Sequence, residues 1–142
     1  MQKLSLADAC PSMDYEIHLT DGEPYRSNRS LIVSFSGRYR DGSAGDPDAA
    51  FMKGIIGVAS GIWWHKSLVI DVSKLTYEWG DMIEVALDPP GSRPIAIVVG
   101  PGCAGALATL WFGLDSERQA TEQAGVFDHL DAALAYLRQD RA

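Results

Sequence analysis

The sequence predicts a single small α/β domain, residues 1–142, with a mixed β-sheet flanked by helices. Three observations predict it. Leu68-Val69-Ile70-Asp71-Val72 and Ile95-Ala96-Ile97-Val98-Val99 are short runs apolar on both faces, as strands buried between helices are. Each is followed by a stretch of helix formers, so two β/α units follow one another between Leu68 and Leu114. A chain of 142 residues that is 46% apolar is long enough to bury one sizeable core.

The elements follow in order. Residues 1–13 show no period and form an irregular arm ending near Cys10-Pro11-Ser12. Tyr15 to Thr20 alternates apolar and polar residues, the pattern of a strand with one wet face. Asp21-Gly22-Glu23-Pro24 is a turn signal, and Leu31 to Gly37 gives a second strand able to pair with the first as an antiparallel edge hairpin. Asp41-Gly45 predicts a flexible loop. Asp46-Pro47 then predicts a helix start, with Asp46 as N-cap and a helix over 47–64. On that helix Phe51, Ile55, Val58 and Ile62 form the expected buried side. Gly54, Gly57 and Gly61 form a smooth stripe expected to touch another backbone closely, because glycine otherwise costs helix stability.

Strand Leu68–Val72 is expected to end in a turn over Ser73–Trp79, with a short helix over 80–87. Strand Ile95–Val99 is expected to end at Gly100-Pro101-Gly102, with a helix over 103–111. Asp115 to Gln123 is polar, helix or loop. Gly125-Val126-Phe127 reads as a short strand or an extended lead-in. Asp128 caps a last helix whose face is Leu130, Ala133, Leu134 and Leu137.

Composition narrows the function. A formal charge of −7 argues against nucleic acid, which needs a concentrated basic face; the one small basic group is Arg26, Arg29, Arg38 and Arg40. An acidic surface suits a basic protein partner. Two distant cysteines, Cys10 and Cys103, give neither a disulfide framework nor metal-ligand spacing, so no metal or cofactor is expected and the cytoplasm is the expected compartment. Met1 to Ser5 is too polar to open a signal peptide. Residues 94–114 carry no charge, but Gly100-Pro101-Gly102 divides them into strand and helix, so no membrane span is expected.

The element order and three segments carry a resemblance. Leu68 to Tyr77, Gly80 to Leu87, and Val126 to Leu134 resemble the STAS domain, the fold of anti-sigma factor antagonists. That resemblance implies a β-β-α-β-α-β-α order and a signalling regulator. In the family, a serine or threonine before the helix at Gly80 receives a phosphoryl group. Here the loop reads Tyr77-Glu78-Trp79-Gly80-Asp81 and has no hydroxyl directly before Gly80, so the resemblance is to a degenerate member without the phospho-switch.

Catalysis has two candidate settings. Cys103 follows a glycine turn and opens a helix, where a thiolate is stabilised, but only His18, His65 and His129 are available as a base. His65 is adequately read as a helix-terminus cation. Trp79-Gly80-Asp81 with Pro94 to Pro101 resembles the crotonase family, in which two backbone N–H groups form an oxyanion hole. Gly100-Pro101-Gly102 lacks the Gly-Lys-Ser/Thr of a P-loop and is accounted for as a tight turn. The favoured reading is a non-enzymatic, bacterial protein-binding domain, such as the immunity protein of a toxin. Its contact surface is expected at Tyr77, Glu78, Trp79 and Asp81, where aromatic and acidic side chains alternate.

Overall fold

The computed structural model describes residues 1–22 and 28–139; Glu23, Pro24 and Arg26, which entered the turn and basic-group readings, lie outside them. Five strands form one sheet in sequence order: β1 (Met13–Leu19), β2 (Ser30–Arg38), β3 (Ser67–Thr76), β4 (Ile95–Val98) and β5 (Val126–Phe127). β1 pairs antiparallel with β2, and every other pair is parallel, so the sheet is mixed as expected. The helices are α1 (Leu6–Ala9), α2 (Asp46–Ile62), α3 (Ile83–Ala86), α4 (Ala104–Phe112) and α5 (Leu130–Gln139).

Sequential parallel strands joined by right-handed crossovers must place their crossover helices on one face. The main core accordingly joins Leu31, Val33, Phe35, Leu68 and Ile70 of the sheet to Met52, Ile56, Ile83 and Leu107 of α2, α3 and α4. α5 follows the edge strand and packs on the opposite face, burying Ala133 and Leu137 against Ile32, Val69, Ala96 and Val98. It covers only part of that face. Beyond it, Glu16, Ser34, Ser36, Asp71, Ser73 and Lys74 line an open groove together with Phe35.

Four local expectations are corrected. β3 runs on to Thr76 instead of turning at Ser73, because its register with β2 shifts between Ser34 and Ser36. The extra residue changes the phase of burial from Leu68, Ile70 and Val72 to Leu75 and Tyr77, and Asp71 Oδ1 accepts the Ser73 amide at 2.9 Å there. The helix expected over 80–87 shrinks to Ile83–Ala86. Residues 42–45 form a 3₁₀ turn, and Gly45, not Asp46, is the N-cap of α2. A Cβ on Gly45 would collide with Arg40 O and the Tyr39 ring, so only glycine fits that close turn.

α2 also presents a different face. Asp48, Ala49, Met52, Ile55, Ile56 and Ala59 are buried with Phe51, while Val58 and Ile62 are exposed. Alanines at 49 and 59 let the helix approach the sheet. Gly54, Gly57 and Gly61 face open space: among the described residues, a Cβ on any of them would meet no atom of another element within 4 Å. The fully buried Asp48 carboxylate accepts the Arg40 amide at 2.8 Å and the Arg40 guanidinium at 2.8 Å, and the Cys10 thiol donates to it at 3.3 Å. Burial alone pushes this carboxyl up, but the Arg40 hydrogen bonds outweigh it and hold it below the usual range.

Candidate protein-binding site

The expected contact loop lies at the carboxyl end of β3, and its shape is fixed by glycines and one tyrosine. The Tyr77 amide donates to Gly102 O at 3.0 Å, and its hydroxyl donates to Gly80 O at 2.7 Å. Its ring meets Tyr39 edge-on, with centroids 5.3 Å apart. Tyr77 is thus buried, and burial, aided by nearby Asp81 and Glu84, pushes its hydroxyl up to about 12. It offers no surface to a partner and instead holds the loop from inside.

Gly80 has φ +130°, a conformation closed to side chains, and its Cα packs against the backbone of Gly42. The Gly42 amide in turn donates to Trp79 O at 3.2 Å. The indole of Trp79 lies over Gly42, where a Cβ would come within 2.5 Å of Cη2. So the ring is seated along one edge, yet Trp79 remains 62% exposed. Glu78 and Asp81 in the loop and Glu84 on α3 are exposed, and Met82 and Val85 add further exposed apolar side chains. The sequence singled out Glu78, Trp79 and Asp81. It missed Met82, Val85 and Glu84, because the one-turn helix turns outward residues that an eight-residue amphipathic helix would partly bury.

The loop and the short helix after it expose apolar and acidic side chains together on a backbone braced at three points. Rigid aromatic anchors of this kind lose little freedom on binding, and the acidic side chains favour a positively charged counterpart.

The alternative chemical settings are placed differently. Cys103 is 1% exposed, and its thiol donates to Val72 O at 3.3 Å. Burial pushes that thiol up, away from the thiolate a nucleophile needs. The imidazoles are engaged elsewhere: His18 and His129 are exposed on β1 and before α5. His65 is not a terminal cation but a buried side chain, with Nδ1 2.8 Å from Trp63 O and Nε2 3.1 Å from Arg93 Nη1. Arg93 can only donate, so Nε2 accepts and Nδ1 carries the proton. Burial chiefly lowers the His65 pKa, with the Arg93 charge in the same direction. A Cβ on Gly100 would collide with Ser73 O, so the Gly100-Pro101-Gly102 turn is packed against β3, while Gly80 packs against Gly42.

Among the described residues no group of three or more metal-binding side chains occurs, and no helix is long and apolar enough to cross a membrane. Comparison with protein-family models, curated proteins and solved structures finds no match.

Proposed function

We propose that this chain is a non-enzymatic protein-binding domain that neutralises a basic partner, as the immunity protein of a bacterial toxin does. The observation that carries the reading is Trp79: a large ring 62% exposed on a loop locked by Tyr77, Gly80 and Gly42. A monomer with no use for that surface gains nothing from bracing an exposed indole. Glu78 and Asp81 flank Trp79 in the same exposed loop, and Glu84 is exposed on α3 just beyond it, so the reading calls for Lys or Arg on the partner.

A degenerate STAS-like regulator is the second reading, favoured by one observation: α3 begins just beyond the loop at the carboxyl end of β3, where that family places its switch helix. It would use the same loop for a signalling protein instead of a toxin. One experiment separates the readings. Tagged wild-type chain and Trp79→Ala are used side by side to capture proteins from the native lysate. A stoichiometric basic protein bound by wild type and lost with Trp79→Ala supports neutralisation if the chain also suppresses that protein's activity. A kinase or sigma-pathway protein selects the regulator. Identical captures by both baits remove the loop from the function.

A further inference from the structure

The outward face of α2 is unusual for a helix in water. Val58 is 54% exposed and Ile62 62%, in line with the exposed Gly54, Gly57 and Gly61, and just past the helix end Trp63 is 40% exposed and Trp64 56%. The two indoles alone leave on the order of 200 Å² in solvent. With Val58 and Ile62 the patch reaches about 300–600 Å², the size at which the largest apolar patch of a monomer is commonly functional. The only exposed charged side chains on the helix are Asp46 and Lys53. Three exposed glycines each weaken the helix relative to alanine. Nothing within the described chain repays that cost, since no atom lies within 4 Å of a Cβ at any of them.

We propose that this face is the interface of a two-fold homodimer in which α2 packs antiparallel against α2 of a second copy. Three properties of the chain select a second copy as the occupant. The first is shape. The 17-residue helix is about 25 Å long. It is small at its start, with Pro47, Ala50 and Gly54, and large at and just past its end, with Ile62 and then Trp63 and Trp64. A two-fold axis between Gly57 and Val58 lays the large end on the small end and sets Gly54 of one copy against Gly61 of the other. Such an interface is self-complementary and closed, the commonest way in which identical chains associate.

The second property is charge. Half-buried Arg29 and Lys66 immediately precede β2 and β3, and exposed Arg93 lies two residues before β4; the amino ends of these adjacent strands lie where α2 finishes. Asp46, Glu78 and Asp81 are exposed at the other end, where α2 begins and where Arg38 and Arg40 are already paired with Asp41 and Asp48. Antiparallel pairing brings the basic end of each copy to the acidic end of the other and opposes the two helix dipoles favourably. The third is neutrality at the centre: with no charge at Gly54, Gly57, Val58, Gly61 or Ile62, two acidic molecules meet there without like charges facing each other.

Sedimentation velocity over a wide concentration range tests the proposal on the purified chain. The expected result is a monomer–dimer equilibrium weakened by salt, converted to monomer by Val58→Glu with Ile62→Glu while the circular dichroism spectrum is kept. Gly57→Ala is expected to raise the melting temperature of dilute monomer yet weaken the dimer at least several-fold, which a purely structural role for that glycine does not give. Gly57→Cys is expected to form an intermolecular disulfide on mild oxidation, because Cys10 and Cys103 are buried and do not compete. A chain monomeric at all concentrations overturns the proposal. So does a dimer that survives the double glutamate variant, or one that Gly57→Cys fails to cross-link. The Gly57, Val58 and Ile62 variants leave Glu78 and Asp81 unchanged, so loss of the dimer and loss of the loop's partner are read separately.

Discussion

Gly42→Ala is a single-methyl change that reports on whether the Trp79 loop is truly braced. The new Cβ would lie 2.5 Å from Trp79 Cη2 and 3.0 Å from Cζ2 and Cζ3, against an ordinary contact beyond 3.4 Å. The indole must therefore swing outward by about 1 Å, a displacement its exposed side permits. The backbone cannot adjust as easily. Gly42 has φ +59°, and an L side chain there costs about 1–2 kcal/mol. Alanine also restricts the unfolded chain, which returns about 0.4–1 kcal/mol. The net expectation, with loss of the Trp79 seat, is a destabilisation of about 1–2 kcal/mol, or a fall in melting temperature of roughly 3–6 °C for a domain of this size. Thermal unfolding followed by circular dichroism reads the stability, and titration of the captured partner reads the loop. Both should fall together. A melting temperature that rises would mean that the unfolded-state effect alone operates and that the loop has slack, which would refute the bracing argument.

Two further expectations concern the core. Asp48→Ala removes the acceptor of the Arg40 amide, the Arg40 guanidinium and the Cys10 thiol, and should cost about 2–3 kcal/mol by urea unfolding. Because the Asp48 carboxyl is held below its unfolded value, its contribution is fully present above about pH 4 and fades as the pH falls through the lower folded value; the variant should show a flatter acid limb. Cys103 should resist thiol reagents in the native state near neutral pH and react at the rate of unfolding, since its sulfur is buried and its pKa raised; rapid native labelling would reopen catalysis at that residue.

Much of this fold is legible in the residues, and the failures have definite physical causes. β4 and the body of β3 are read directly, because strands buried on both faces have no polar alternation to confuse them. The end of β3 is missed because a bulge changes the phase of burial: Ser73 and Lys74 look like a turn when they mark only a change of parity. On α2, bulk is a poor guide to burial. Val58 and Ile62 suggest a core stripe, whereas Ala49 and Ala59 are what allow the helix to approach the sheet, and Asp48 is buried because Arg40 comes from β2's end to neutralise it. That pairing joins residues on separate elements, and no local pattern announces it. The close backbone contact expected of the glycine stripe is absent among the described residues, because α2 turns Gly54, Gly57 and Gly61 away from the sheet. At the candidate site the acidic-aromatic composition was visible in Glu78, Trp79 and Asp81. The inward turn of Tyr77 was not, since it depends on Tyr39 and Gly102 from other elements.

The central claim, that the Trp79 loop binds a basic protein, is tested most directly by calorimetric titration of the partner that wild type captures against wild type, Glu78→Lys and Asp81→Lys. If the loop is the contact, at least one reversal should cost more than about 2 kcal/mol, roughly thirtyfold in Kd, with added salt weakening wild type more than the variants. Affinities unchanged in both variants, at low and moderate salt alike, would contradict it.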